Sequence, residues 1–356
     1  MTPVEERESN VLGTAPIGRL MLKLAVPAVA AQFINMLYNI VDRIYIGHIP
    51  EVGDLALTGV GVTFPIITLV SAFAAFAGQG GAPLAAIQLG AGKKGPGGAD
   101  PGQLSGPAAD DRRSADGGLQ RLQGAHPAGL RRLGRHHWLC LQLHRHLSAG
   151  QVFVQLALGL NTFISTQGKA MTAMLSVLIG AVLNIVLDPS LFCFPLGVRG
   201  AALATILSQA VSACWVLAFL CCPHSILRIR RAYVRPDPRV MGKIAGLGVA
   251  PFIMQSTESL VTVVLNTGMQ TYGGDLYVGS ITIIQSIMQM IVMPTQGITQ
   301  GVQPIMSYNY GAKNYRRVRQ TFKRLLAVTM TVTCSAFVMV ALIRGCWPVS
   351  SPLSRS

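Results

Sequence analysis

Long apolar stretches recur along the chain and are separated by short polar segments. A helix of about 20 residues crosses the roughly 30 Å hydrocarbon core of a bilayer. The pattern predicts seven such stretches and an eighth near the carboxyl end, at residues 20–47, 55–89, 152–166, 170–194, 201–222, 244–272, 277–308 and 325–343. The third of them is short. We therefore expect an all-α, polytopic transmembrane protein.

Composition supports a membrane location and changes how the charge is interpreted. The chain has 356 residues, of which 51% are hydrophobic and only 12% are charged, and its mean hydropathy is +0.46. These values are too apolar for a soluble domain of this length. A net charge of +15 would suggest a nucleic-acid partner in a soluble protein, but here it indicates basic loops. We expect no nucleic-acid partner, and the seven scattered cysteines are expected to be reduced.

The distribution of charge predicts how the protein is oriented in the membrane. Basic residues cluster at 93–94, 169, 228–243 and 313–324, whereas the segments at 48–54 and 272–277 are acidic or neutral. Lysine and arginine concentrate in cytoplasmic loops. The amino terminus is therefore expected in the cytoplasm and the protein in the cytoplasmic membrane. Residues 1–18 are polar and acidic, which predicts a cytoplasmic tail and not a signal peptide.

An internal repeat divides the chain into two homologous halves. The segment "GQGGAPLAAIQLGAGK" (78–93) aligns without gaps with "TQGVQPIMSYNYGAKN" (299–314), so that glycines and a proline coincide. We expect an amino-terminal lobe at 19–222, a basic cytoplasmic linker at 223–243 and a partial carboxyl-terminal lobe at 244–345. Parallel repeats of this kind place the substrate site of a transporter between the halves.

Several segments resemble the multidrug and toxic compound extrusion (MATE) family. They are "LYNIVDRIYIGHI", "GQGGAPLAAIQLGAGK", "VLNIVLDPSLF", "GVRGAALATILSQ" and "MPTQGITQGVQPIMSYNYGAKNYRRV". The resemblance implies twelve helices in two six-helix lobes that export drugs or organic cations in exchange for Na⁺ or H⁺. A membrane enzyme is disfavoured because the sequence shows no nucleophile motif and no pair of metal ligands. We also expect a monomer among membrane lipids, with no cofactor or metal other than a coupling Na⁺ or H⁺.

Three acidic residues lie inside the apolar stretches, namely Asp42, Asp188 and Glu258. An ionisable group at membrane depth costs several kcal/mol, so it usually marks the path of an ion or substrate. Pro189 frees the backbone carbonyl of Ile185, four residues earlier in the helix. Carboxylate and carbonyl oxygens together suit a proton or a hard cation.

Two sets of polar residues have helical spacing around these acids. Asn35, Tyr38 and Asp42 share one helix face, and so do Asn184 and Asp188. The resembled family has a coupling network in its amino-terminal lobe, and the residues that match its positions here are Tyr38, Asp42, Asn184, Asp188 and Thr205. Asn35 is added to the predicted coupling site because it shares a helix face with Tyr38 and Asp42. Alternatives stay open: Asp42 could pair with Arg43 at the membrane interface, and the Asp188–Pro189 pair could end a helix.

A second set of residues is assigned to the substrate cavity, namely Gln255, Glu258 and Met288. Glu258 resembles the acid that some branches of the family carry on their seventh helix, although its spacing from Pro251 differs by about one residue from that pattern. A purely structural hydrogen-bonding role is an equal alternative for Glu258. Methionine is flexible and can line an adaptable drug cavity, but ordinary packing explains Met288 as well.

Residues 95–151 do not fit the rest of the chain. The segment has no Ile, Val, Phe, Met, Tyr, Thr, Asn, Lys or Glu, and it holds five of the seven histidines. It lacks the apolar periodicity that a fold would need to build a metal site from those histidines. We interpret it as out-of-frame sequence that replaces the third helix and part of the fourth. A disordered insertion is the alternative.

The carboxyl end permits a similar interpretation. Residues 346–356 also suggest a shifted frame, and the second lobe is expected to lack its tenth to twelfth helices. On this interpretation the chain as written is not expected to transport. Two other functions stay open, an inactive gene product and a lipid or polysaccharide flippase of the same superfamily. A flippase would be expected to carry a more cationic central cavity.

Overall fold

The chain folds as a bundle of α-helices. The computed structural model describes residues 11–47, 53–92, 153–192, 198–222, 225–229 and 237–346. Across these ranges the backbone is helical except for short turns, and no strand is assigned. The anomalous residues 95–151 and the carboxyl-terminal residues 347–356 lie outside the described ranges.

Within the described ranges, the bundle contains six long helices and one shorter helix. They are α1 (Ile17–Gly47), α2 (Gly53–Gly90), α3 (Phe153–Thr166), α4 (Ala170–Phe192), α5 (Val198–Cys221), α6 (Pro238–Gly311) and α7 (Tyr315–Cys346). Among the residues described, five stretches are long and apolar enough to cross a membrane: Ile17–Val41, Ala170–Asp188, Leu203–Cys221, Pro238–Met269 and Tyr315–Met339. The predicted class of polytopic helical membrane protein is confirmed.

Two helix boundaries differ from the sequence prediction. The polar turn expected at 272–277 is assigned as helix within α6, and α7 begins at Tyr315, well before Leu325. The first turns of α7 are rich in arginine, lysine and glutamine, which favour helix but are not apolar. The side chain of Asn314 caps this start by accepting a hydrogen bond from the Arg317 N–H at 3.3 Å. Hydropathy located the apolar part of α7 but not where the helix begins.

The long helix α6 must reverse direction between its ends. A Cβ added at Gly80 would lie 2.5 Å from the carbonyl oxygen of Ile244, and one added at Gly90 would meet the carbonyl of Tyr308. Gly80 and Gly90 are about 15 Å apart on α2, whereas a straight α6 would separate Ile244 from Tyr308 by about 96 Å. We therefore call residues 238–269 the first arm of α6 and residues 284–311 its second arm.

The two halves contact each other through equivalent positions of the repeat. An added Cβ at Gly90 would meet the backbone of Tyr308, and one at Gly311 would meet the backbone of Ile87. In the repeat alignment Gly90 matches Gly311 and Ile87 matches Tyr308, so these two contacts are reciprocal. Reciprocal contacts are the mark of a two-fold relation. The repeat thus corresponds to two halves related by an approximate two-fold axis.

A second pair of contacts repeats this relation. Gly80 of α2 lies against Gly248 of the first arm, and Gly301 of the second arm lies against Ala25 of α1. Small residues at such crossings let membrane helices approach closely. We call the end of the bundle at which Gly90 and Gly311 meet the crossing end.

Two apolar clusters each combine residues from both halves. The first joins α2, α3 and α5 to the start of α6, and includes Phe163 and Ile244. The second joins α1 to the second arm of α6, and includes Leu24 and Ile305. Leu89 packs against both clusters, so the halves meet in one continuous apolar contact at the crossing end.

Replacing Gly311 by alanine is expected to destabilise the protein. The added Cβ would meet the main chain of Ile87, which cannot move aside as a flexible side chain could. Overpacking of this kind costs about 1–3 kcal/mol, so the thermal unfolding midpoint in detergent should fall by several degrees. Gly246→Ala is the matched control, because a Cβ there meets nothing within 4 Å. Equal midpoints for the two variants would contradict the close crossing.

Candidate ion-coupling site

A buried acid and a buried amide lie one turn apart on α4. Asn184 is 1% exposed and Asp188 is 0% exposed. The Asn184 side-chain nitrogen donates a hydrogen bond to the Thr205 hydroxyl of α5 at 3.4 Å. The structure thus brings together two of the predicted site residues and places Asp188 on the same face of α4. Because α4 continues to Phe192, Pro189 does not end the helix.

Small and polar residues explain why these side chains face α5. They recur every four residues on α4, at Ser176, Gly180, Asn184 and Asp188. Three hydroxyls on α5, those of Thr205, Ser208 and Ser212, have a similar helical spacing. A Cβ at Gly180 would lie 3.4 Å from the Cβ of Ser212, and the Ser212 hydroxyl donates to the Ser176 carbonyl at 2.9 Å. The two helices therefore pack along a buried polar track.

The same track extends to α3. The Ser176 hydroxyl donates to the side-chain oxygen of Asn161 at 3.0 Å, and the Asn161 amide donates to the Ala173 carbonyl at 3.3 Å. Sequence analysis did not include Asn161, Ser176, Ser208 or Ser212. The four-residue spacing from Ser176 to Asp188 was the available signal, because such spacing places residues on one face of a helix.

The chemistry of the track suits a proton or a hard cation. The side-chain oxygen of Asn184 is buried and has no hydrogen-bond partner, and the carboxylate of Asp188 lies one turn away. Oxygen ligands of this kind bind hard cations. Within the described ranges, His, Cys, Asp and Glu side chains do not gather in groups of three, so any cation would rely on amide, hydroxyl and backbone oxygens beside one carboxylate.

The predicted residues of α1 lie on a helix that packs against α4. Asn35 and Tyr38 are half-buried, and the Asn39 amide donates to the Asn35 carbonyl at 2.6 Å. The side chain of Asp42 lies outside the described residues. The roles of Asn35, Tyr38 and Asp42 stay predictions.

The residues assigned to the substrate cavity all lie on α6. Glu258 is exposed, Met288 is 60% exposed, and Gln255 is partly buried. The side-chain oxygen of Gln255 is buried without a hydrogen-bond partner. Their assignment to a substrate cavity stays a prediction.

One polar contact between the halves was missed by sequence analysis. The Gln32 amide of α1 donates to the side-chain oxygen of Gln300 in the second arm of α6 at 3.0 Å. Gln300 lies on a segment that the repeat matched and Gln32 does not, so the repeat does not reveal a contact between them.

Comparison with known proteins shows which family the chain is similar to. A sequence model of the MatE family matches residues 27–95 and 251–349, which together make up just under half of the chain. Over these two segments the chain is similar to the MATE family. The first matched segment ends at residue 95, which is where the anomalous composition begins.

Curated relatives of the chain include multidrug export proteins. The MepA protein of Staphylococcus haemolyticus (strain JCSC1435) is 28% identical over 194 residues, which cover 54% of this chain and 42% of the relative. The MepA protein of Staphylococcus aureus (strain NCTC 8325 / PS 47) is 29% identical over 175 residues, which cover 49% of this chain and 38% of the relative. The chain thus matches less than half the length of these relatives.

Solved structures share the fold. A MATE transporter in complex with MaL6 is similar with a TM-score of 0.84 at 23% identity, covering 95% of this chain and 75% of the other. A MOP superfamily transporter from Pyrococcus furiosus Vc1 (DSM3638) is similar with a TM-score of 0.80 at 24% identity, covering 95% of this chain and 74% of the other. These likenesses extend the fold assignment across both halves.

Proposed function

We propose that the chain belongs to the MATE family and is built to export drugs or other organic cations across the cytoplasmic membrane in exchange for Na⁺ or H⁺. Its amino terminus would lie inside. The coupling ion would bind at Asp188 and Asn184, together with Thr205 and the α1 residues Tyr38 and Asp42. The substrate would occupy the space between the halves, near Gln255.

The observation that carries this proposal is the burial of Asp188 beside Asn184. A carboxyl group inside a membrane bundle destabilises the fold unless its charge is neutralised, so it is retained where it serves an ion or a proton. Binding one H⁺ or Na⁺ would neutralise it. The Asn184 side-chain nitrogen donates to the Thr205 hydroxyl at 3.4 Å, and the amide oxygen has no hydrogen-bond partner, so this oxygen is available as a ligand. The curated relatives named as multidrug export proteins support drugs as the substrate class.

Two other functions deserve a test alongside this one. A flippase of the same superfamily would be expected to have a cationic central cavity, and lysine and arginine are absent from the deep parts of the apolar stretches. Fold alone does not decide substrate, and for the Pyrococcus furiosus transporter of similar fold, the reverse polarity of its binding pocket suggests a different function. An inactive product is favoured by the composition of residues 95–151.

Ion-driven transport in membrane vesicles tests the proposal. The gene would be resequenced across codons 90–155 and beyond 345, and the corrected chain would be expressed in an efflux-deficient host. Inside-out vesicles should accumulate ethidium when either a Na⁺ gradient or a pH gradient is imposed. The gradient that drives accumulation identifies the coupling ion. Full-length protein in the membrane with no accumulation under either gradient would refute cation-coupled export. Transfer of a fluorescent anionic lipid instead would favour the flippase.

A further inference from the structure

The segment just ahead of α1 docks on the opposite half of the bundle. This segment, residues 11–16, lies at the crossing end, and Leu12 is only 3% exposed because it packs with Ile305 and Tyr308. The Asn309 amide donates to the Leu12 carbonyl at 3.0 Å. The Arg317 guanidinium donates to the Ala15 carbonyl. We call residues 11–16 the strap.

The strap and the crossing form one continuous contact. Asn309 follows Tyr308, whose backbone meets Gly90, and a Cβ at Gly13 of the strap would lie 3.2 Å from the Tyr308 ring. Arg324 of α7 also reaches the start of α1, where its guanidinium lies 3.5 Å from a Cβ built on Gly18. Separation of the halves at this end would therefore also separate the strap from the second arm of α6 and from α7.

The two side chains that hold the strap are not fully satisfied. Asn309 is 1% exposed, yet its side-chain oxygen and the Arg317 Nε are buried with no hydrogen-bond partner. A buried polar atom without a partner destabilises the state in which it is buried. Opening would hydrate these two atoms, so the contact is suited to reversible release.

We propose that the strap is a latch, held by Asn309 and Arg317, that keeps the crossing end of the bundle closed. Release of the strap then precedes separation of α2 from the second arm of α6. This inference rests on the proposed function, because a transporter of this kind must open each end in turn. Asn309 and Arg317 both bind backbone carbonyls of the strap, so the latch depends on the position of the strap and not on its side chains.

Hydrogen exchange of the 356-residue chain in detergent tests the latch without any transport. Arg317→Met and Asn309→Leu each remove one hydrogen bond to the strap. Their matched controls are Arg316→Met and Gln303→Leu, which change exposed neighbours on the same elements. The Ala15 and Leu20 amides are hydrogen-bonded to the carbonyls of Val11 and Pro16 at 3.0 Å. Removal of either side-chain hydrogen bond to the strap should speed exchange at these two amides by about tenfold. Amides at 87–92 should follow, while those of α4 and α5 stay unchanged.

Each result decides the question. Faster exchange at both the strap and residues 87–92 in Arg317→Met, with little change in Arg316→Met, would support the latch. Unchanged exchange of the strap would overturn it, and so would a faster strap with an unchanged crossing. If Asn309→Leu also accelerates exchange in α4 and α5, it has unfolded the bundle, and Arg317→Met alone decides. Because no substrate or ion gradient is used, failure of the proposed transport function would leave this result intact.

Discussion

Correcting the reading frame across residues 95–151 is expected to turn an inactive chain into one that confers drug resistance. Each lobe of the resembled family has six helices, and the anomalous segment offers no apolar stretch for the third. The apolar stretch at 152–166 is shorter than the about 20 residues needed to span a bilayer. Without those spans, Asp188 would lie in a lobe with an incomplete wall.

Growth of an efflux-deficient host under increasing drug concentration is the measurement. The chain as written and the corrected chain would be expressed side by side with an empty vector, and their amounts in the membrane would be matched by immunoblot. The corrected chain should raise the inhibitory concentration several-fold, and the chain as written should match the vector. Resistance from the chain as written would show that residues 95–151 are genuine protein sequence.

Replacing Asp188 by asparagine in the corrected chain is expected to abolish ion-driven efflux. The substitution keeps the size of the side chain and its place on α4 but removes the carboxylate, which is the charge that a coupling Na⁺ or H⁺ would neutralise. Asp42→Asn is expected to have the same effect if both acids serve one ion. Drug uptake into inside-out vesicles under an imposed gradient should fall to the vector level in each variant.

A control substitution of the same kind is available in the linker. Asp237 caps the start of α6 by accepting a hydrogen bond from the Arg239 N–H at 2.9 Å, and asparagine caps a helix equally well. Asp237→Asn should therefore retain full efflux. Full efflux in Asp188→Asn, with the same amount of protein in the membrane, would remove Asp188 from the coupling site. A loss of membrane insertion in Asp188→Asn alone would point to a structural role.

The apolar pattern alone predicted the fold class and most helix positions. In a bilayer the backbone polar groups of a single spanning segment must bond within their own helix. An apolar stretch long enough to cross the bilayer therefore forms an α-helix. The repeat at 78–93 and 299–314 likewise predicted two related halves. The positions of Asn184, Asp188 and Thr205 followed from the resemblance, and their helical spacing predicted a shared face for the two α4 residues.

Only the tertiary structure decided which helices touch and through which atoms. Lipid and leucine are equally apolar, so hydropathy does not record helix contacts, which depend on small residues and interhelical hydrogen bonds. The reciprocal crossing of Gly90 and Gly311 and the polar track through Ser176 and Ser212 are contacts of this kind. The docking of Leu12 joins residues almost 300 positions apart in sequence. No local pattern encodes such a pairing, because it depends on how the two halves pack together in three dimensions.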